Sequence, residues 1–472
     1  MTGRRMRPLR VLQFGEGVFL RAFADWMIDV ANEVGVFDGD VVILKPRAGK
    51  VSDAFKEQEC LYTVALRGKT DGEIVDARRR ITCVRDCIST HEEPETFAAL
   101  AREPELRFCI SNTTEAGITL DLSDREDTIP ATFPGKAAKF LYLRWKHFAG
   151  AADKGLIFLP TELIEENGTR LRECVLAMAE SWGYPAEFSK WVRENCVFAN
   201  TLVDRIVTGK PEEELVPYKD ELLDAAEPFA LWVIESERDI SGEFPLHRAG
   251  LPVVFCRDLT PYRERKVRTL NGAHTSSVLL GWLLGCETVG DCLRDAEMRA
   301  FMERAVFGDI VPYVSLPRAE AEDFARSVFE RFENPFLRHS VLAISLNSVS
   351  KWRARVLPSL RDAYAAGAVP AALVFSFAAL LAFYTAAEDG AAVTADGRTY
   401  TVRDDAAALA FFAENSRLQT VEFVRKTAEN LDFWGEDLRK YPGFVELAGK
   451  YLADIRTRGA RVALQMLLED VR

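Results

Sequence analysis

The stretch PLRVLQFGEGVFLRAFADW, residues 8–26, decides the fold. Leu9–Phe14 is a short apolar run that reads as a buried strand. Gly15-Glu16-Gly17 interrupts it, and from Gly17 the apolar residues fall at helical spacing until Gly35. A strand, a glycine turn and a helix in direct succession form the entrance to a doubly wound nucleotide-binding unit. Gly15 permits the tight turn. Gly17, lacking a side chain, lets a pyrophosphate approach the backbone N–H groups and the positive end of the helix. Leu20 stands where that pattern usually has a third glycine, and Arg21 follows it. Two glycines are weak evidence alone; their place between the first strand and the first helix gives them weight. The candidate cofactor contacts here are Phe14, Gly15, Glu16, Gly17 and Arg21.

The same rhythm continues through the first half of the chain. Segments 41–44, 62–66, 81–84, 108–111 and 156–159 read as strands, and 95–101 and 169–181 as helices. Their continuous apolar character suits a parallel sheet covered on both faces. In SNTTEAGI, 111–118, Asn112 and Thr113 fall at the carboxyl end of a strand, where such folds place ligand loops. The second strand runs into VVILKPRAG, with Lys45 and Arg47 and no carboxylate, so these residues leave NAD against NADP open. After about residue 265 strand signals fade. Amphipathic segments follow at 268–285, 296–306, 319–332, 339–357, 359–366, 370–387, 404–413, 417–429 and 443–468, with one hairpin expected at 392–405 around Asp396-Gly397. The expected architecture is an α/β, Rossmann-like doubly wound domain, 1–262, followed by a mostly α-helical substrate and catalytic domain, 263–472.

The second informative stretch is KVRTLNGAH, residues 266–274. On an α-helix Lys266, Asn271 and His274 would lie at about 0°, 140° and 80°, within one broad face. An amine, a carboxamide and an imidazole aimed at one small volume suit carbonyl/alcohol interconversion. That reaction needs a group to move the hydroxyl proton and groups to hold the oxygen on which negative charge develops. Three polar residues on a helix are usually a solvated face, but this one runs into SSVLLGWLLG, which is too apolar for a surface helix.

Composition limits the remaining options. The chain has 472 residues, 48% of them hydrophobic and 28% charged, with a net charge of −12. That charge argues against nucleic acid or an anionic membrane as the main partner. The basic N-terminus is followed by no apolar core of the kind a signal peptide needs, and no apolar run is long enough to span a membrane. Nine cysteines without a CxxC pattern read as reduced core residues of a cytoplasmic protein. Five histidines without HxH or HxxxH spacing give no reason to expect a metal. The partner expected is a small molecule, and the assembly a monomer or small homo-oligomer.

FGEGVFLRAF, SNTTEAGI, TLVDRIVTG at 201–209 and RERKVRTLNGAH at 263–274 resemble the motifs of the mannitol dehydrogenase family, the long-chain polyol-specific dehydrogenases. The likeness spans nearly the whole chain. DKGLIFLPTELIEENG at 153–168 and ISLNSVSKWRARVLP at 344–358 are similar to a branch of that family acting on sugar acids. The resemblance implies metal-free, NAD-linked hydride transfer between D-tagaturonate and D-altronate. It implies that Lys266 is the general acid/base, that Asn271 and His274 hold the reacting oxygen, that Asp204 supports the site near the nicotinamide, and that Lys351 contacts substrate. It also sets Glu227 and Glu235 near the site as groups that could orient a catalytic residue. Two positions depart from the polyol members: Leu163 replaces an asparagine that serves as a second oxyanion partner, and Ala343 replaces an arginine. A uronate carries a carboxylate that needs a cationic partner, for which the candidates are Lys351, Arg353 and Arg338. Fructuronate reduction and mannitol-type polyol oxidation are the neighbouring alternatives. A non-catalytic dinucleotide-binding regulator is the distant one, since a sensor needs no proton donor.

Overall fold

The computed structural model describes residues 5–114, 116–384, 390–394 and 396–470. The chain divides into two compact units. One comprises Met1–Arg67 and Ile74–Leu259; the other comprises Gly68–Glu73 and Thr260–Arg472. A six-residue hairpin tip from the first half thus groups with the second unit.

The first unit is built on six parallel strands: β1 (Leu9–Phe14), β2 (Asp40–Lys45), β3 (Val84–Ser89), β4 (Phe108–Ser111), β5 (Ile157–Pro160) and β6 (Val197–Phe198). Their order is β3-β2-β1-β4-β5-β6, the doubly wound Rossmann order. Successive side chains of a strand point to opposite faces, so each strand feeds two cores. Val11, Ile43, Ile110 and Leu159 enter one, packed by Phe23 and Met27 of the first helix and by Trp232 and Phe244. Leu12, Phe14, Leu44, Cys109 and Phe158 enter the other, under Phe133, Phe140, Leu141, Val175 and Met178. This two-sided burial is why the strands read as unbroken apolar runs.

Two smaller sheets accompany the large one. One joins Val207–Gly209, Asp224–Ala226, Tyr62–Thr70 and Glu73–Ile81; the other joins Val253–Cys256, Leu231–Glu235 and Asn200–Asp204. The short strands expected at 62–66 and 81–84 are parts of longer elements. Two nine-residue strands form a hairpin turning at Asp71 (φ +53°) and Gly72 (φ +80°). Its outer strand, EIVDARRRI, is mostly exposed, so ladder hydrogen bonds rather than apolar burial define it and hydrophobic patterning misses it. Within the second unit, the tip Gly68–Glu73 is held by the Lys69–Glu333 ion pair and by Gly72 N–H donating to Glu330 at 2.8 Å.

The second unit is helical around Ala371–Phe383, whose side chains are almost all buried and which packs against Gly272–Leu283 and Phe444–Arg458. The segment expected at 339–357 splits into Val341–Ile344 and Ser348–Arg355, because Asn347 adopts φ +54°. That expected at 443–468 splits at Gly459, φ +85°. The hairpin expected at 392–405 is the antiparallel pair Ala391–Val393 and Thr399–Thr401, although Ala395 lies outside the described residues. So do 385–387 of the expected 370–387 helix. No described helix is long and apolar enough to cross a membrane. Among the described residues three helices contain a π segment, at Arg21–Asp25, Lys266–Asn271 and Arg304–Ile310.

Candidate active site

In the first unit the carboxyl ends of β1 and β4 meet at the glycine turn. Gly15 has φ +127°, and a Cβ there would fall 2.8 Å from the carbonyl oxygen of Asn112, so conformation and space both demand glycine. A Cβ on Gly17 would meet nothing within 4 Å, which leaves open room at the start of the helix. Leu20, in place of a third glycine, is buried against the turn. Phe14 has only its backbone to offer a ligand here, since its ring is buried 4.8 Å from that of Phe133. Glu16 reaches back to Lys45, Oε1 to Nζ 2.6 Å, so the turn itself neutralises the basic end of β2.

Several polar side chains expected at the cofactor are engaged elsewhere. Arg21 is the clearest case. It is buried, donates to the carbonyl of Leu222, lies 3.7 Å from Asp224 Oδ2 and sits over the Tyr62 ring. Asn112 donates to Thr161 Oγ1 at 2.9 Å, and Thr113 donates to Glu162 Oε1 through both N–H and hydroxyl, at 3.0 and 2.9 Å. These bonds brace the ends of β4 and β5 against each other. Glu162, which sequence patterning did not single out, is fully buried, and burial pushes its carboxyl up. Beneath the turn, Gln13 Nε2 donates to the carbonyl of Gly15 at 3.2 Å and to Asp25 Oδ2 at 3.4 Å, and the Tyr62 hydroxyl donates to the same oxygen at 2.7 Å. Burial raises the pKa of Asp25 to about 7 despite these donors, and that of Asp224 likewise to about 7.

Asp204 is buried at the end of Asn200–Asp204, opposite Leu231. The next residue, Arg205, donates to the carbonyls of Ala22 at 2.7 Å and Glu227 at 3.0 Å, tying this strand to the first helix. Both glutamates considered as orienting groups hold backbone. Glu227 accepts from Ile206 N–H at 2.6 Å, and Glu235 accepts from Leu259 N–H at 2.7 Å and Asn200 Nδ2 at 2.9 Å.

In the second unit Thr260–Arg265, the π segment Lys266–Asn271 and Gly272–Leu283 follow without a break. The π segment corrects the angles expected of a plain α-helix. An i→i+5 ladder brings residues five apart nearly over one another, so Lys266 and Asn271 separate by well under a right angle instead of about 140°. His274, three α-helical residues beyond Asn271, is about 60° away. All three thus share one narrow face.

Lys266 and Asn271 are half-buried, whereas His274 is 7% exposed. Its ring stacks on Phe332, centroids 4.2 Å apart, and meets His339 edge-on at 5.1 Å. Its Nε2 is buried and has no hydrogen-bond partner among the described residues. Burial, reinforced by His339, Arg331, Arg355 and Lys351, holds the imidazole well below its ordinary pKa, so the ring is neutral at physiological pH.

Lys351 donates to the carbonyl of Ile344 at 2.8 Å and, one helical turn from Arg355, belongs to the cationic group around His274. Arg353 does not join it: it is exposed on another side of the helix, donates to the carbonyl of Asp432 at 3.3 Å and lies against Gly435. Arg338 is exposed as well. The arginines flanking Lys266 are neutralised, Arg265 by Glu320 at 2.9 Å and Arg268 by Glu264 at 3.2 Å and by Asp362. Arg331 and Arg355 are the cations near His274 that sequence reading missed. The only available sign of Arg355 was its place four residues after Lys351. Leu163 and Ala343 are both exposed. Among the described residues no three His, Cys, Asp or Glu side chains converge as metal ligands would.

The chain matches the model of the mannitol dehydrogenase Rossmann domain over residues 9–247 and that of the mannitol dehydrogenase C-terminal domain over residues 258–455. It is 40% identical to an altronate oxidoreductase of Enterobacter sp. (strain 638) and 41% identical to those of Shigella flexneri and Klebsiella pneumoniae (strain 342). Each alignment spans 475 residues, 98% of this chain and 97% of the relative. The fold is similar to that of a D-sorbitol dehydrogenase in substrate-free form (TM-score 0.81, 22% identity, 97% of this chain and 95% of that one). It is also similar to Pseudomonas fluorescens mannitol 2-dehydrogenase in a ternary complex with NAD and D-mannitol (TM-score 0.66, 21% identity, 98% and 95%).

Proposed function

We propose, from the premise that this chain belongs to the mannitol dehydrogenase family, that it interconverts D-tagaturonate and D-altronate with NAD as cofactor. It is an oxidoreductase acting on a sugar acid or polyol. The choice of substrate rests on the likeness to altronate oxidoreductases over 98% of the chain. The reaction class rests on one observation: a neutral, buried His274 with an unpartnered Nε2, on the same helical face as Lys266 and Asn271.

The glycine turn fits the pyrophosphate of a dinucleotide. Gly15 is held in a conformation only glycine tolerates, and the space over Gly17 is open at a helix N-terminus. When bound, the reduced nicotinamide supplies the hydride. Asn271 donates its amide N–H to the carbonyl oxygen of the substrate as negative charge develops there, and His274 donates a ring N–H to the same oxygen. A neutral imidazole can hold that oxygen without competing for its proton. Lys266 delivers the proton to the oxygen in reduction and takes it back in oxidation. Lys351 contributes positive charge toward the sugar acid.

The test is NADH oxidation by the purified protein with tagaturonate, fructuronate and fructose side by side, repeated with NADPH. Fast turnover of tagaturonate with NADH alone is the expected result. Preference for fructuronate or fructose would move the protein to another branch of the family, and preference for NADPH would overturn the cofactor assignment.

A further inference from the structure

Arg355 ends the helix Ser348–Arg355 beside the catalytic helix. Its backbone carbonyl lies 3.1 Å from where a Cβ on Gly272 would stand, so the two helices approach closely at a glycine. Its guanidinium Nη1 is 3.5 Å from Thr275 Oγ1, on the residue after His274. That distance is long for a hydrogen bond and does little to satisfy a charge. Among the described residues no carboxylate lies within ion-pair reach of Arg355, unlike Arg265, Arg268, Arg299 and Arg361, each of which has one. The side chain is half-buried, and its burial goes uncompensated by any opposite charge.

Its neighbour on the same face, Lys351, donates to a neutral carbonyl, that of Ile344. The acid that acts on it is Asp404, which accepts from the Tyr384 hydroxyl and from Val349 N–H. Two like charges are thus held one turn apart, partly removed from water, beside a histidine that is itself neutral. Holding an unpaired cation out of water costs free energy unless an anion joins it. A planar guanidinium is also the group best matched to a carboxylate, which it can grip through two parallel N–H bonds.

We propose that Arg355 binds the carboxylate of the substrate and is the residue that selects sugar acids over neutral sugars and polyols. This rests on the sugar-acid reading above. Lys351 then serves as a second positive charge on the same face, and Arg353 and Arg338 play no part.

The experiment compares kcat/KM for tagaturonate and for tagatose, the same ketose without the carboxylate, in the wild type, Arg355→Met and Arg355→Lys. Arg355→Met is expected to lower the tagaturonate value about 100-fold, mostly through KM, while tagatose changes less than about threefold and NADH affinity stays constant. Arg355→Lys, which keeps charge but not the planar fork, should restore part of the loss. If both substrates fall together, Arg355 is structural and the proposal is wrong. An unchanged ratio overturns it equally, and if Arg355→Met does not fold, the ratio in Arg355→Lys decides. A wild type that prefers fructuronate changes only the pair compared, to fructuronate and fructose. A wild type that turns over no sugar acid would bring down the functional reading and this inference together.

Discussion

The proposed cofactor turn and the proposed catalytic helix are built from the same local device and use it in opposite ways. Each lies on a helix containing a π segment, Arg21–Asp25 in one and Lys266–Asn271 in the other. At the turn the working groups are backbone, and the polar side chains around it are committed to the protein: Arg21 to Asp224, Asn112 to Thr161, Thr113 to Glu162, and Gln13 to Asp25. On the proposed catalytic helix and its neighbours the working groups are side chains, and some are left unsatisfied: His274 Nε2 has no partner among the described residues, and Arg355 reaches only Thr275 Oγ1, at 3.5 Å. A site that reads its ligand through backbone can commit its side chains to the protein, because they are scaffold. A site that acts through side chains must leave some unsatisfied until substrate arrives.

The sharpest way to break this contrast is at Lys266. Lys266→Ala should lower kcat by about 10²–10⁴-fold while NADH affinity, measured by fluorescence titration, is unchanged. Retained turnover would remove Lys266 as the acid/base. Next in size is the buried acid beneath the turn. The folded pKa of Asp25, about 7, lies above its ordinary value near 3.8. Stability from this group is therefore fully present below about pH 4 and is lost as pH rises toward 7, by a few kcal/mol at most. His274 has the opposite sign: its folded pKa is depressed, so its contribution is present above about pH 6.5 and is lost on acidification. Asp25→Asn should flatten the fall in Tm between pH 4 and 7; a curve parallel to wild type would show that Asp25 is ionised in the folded protein.

The two glycines offer a finer test. Gly15→Ala should cost about 1–3 kcal/mol of stability through strain and the close carbonyl of Asn112. Gly17→Ala, with open space around it, should keep its Tm and weaken NADH binding. If the two variants behave alike, the division between scaffold and ligand surface at this turn is wrong. The smallest effect is expected at Lys351. Lys351→Ala should raise KM for tagaturonate about tenfold with little change toward NADH, and unaltered sugar-acid kinetics would exclude its role.

Much of the fold was legible because its determinants are local. The apolar run, the glycine turn and the helix of residues 9–33 are adjacent, and two-sided burial wrote itself into the composition of β1, β2 and β4. The hairpin of Tyr62–Thr70 and Glu73–Ile81 was legible only at its apolar ends, because the exposed RGKT and DARRR portions are held by backbone pairing that side-chain patterning does not record. In the site, the placing of Lys266, Asn271 and His274 on one face was visible from spacing, but the π segment that tightens it was not, since spacing alone does not distinguish an i→i+5 turn from an i→i+4 one. Arg21 shows the limit most clearly. It sits next to a cofactor motif, and only the fold brings Asp224, some two hundred positions later, to claim its charge. Arg353 and Arg355 are two residues apart and equally basic in the sequence. Helical geometry alone sends one to solvent and the other to His274.

A π turn is an α-helix that has absorbed one surplus residue. Lys266–Asn271 therefore behaves as an inserted position in the rotational phase of the helix, and the catalytic face depends on a count as much as on identities. Adding one more residue to the segment would leave the lysine, asparagine and histidine all present and the apolar stripe of Gly272–Leu283 in place. It would nonetheless turn Lys266 by roughly a quarter of the circle relative to His274, whereas removing one, such as Val267, would return the segment to a plain α-helix with the three at i, i+4 and i+7, still on one face.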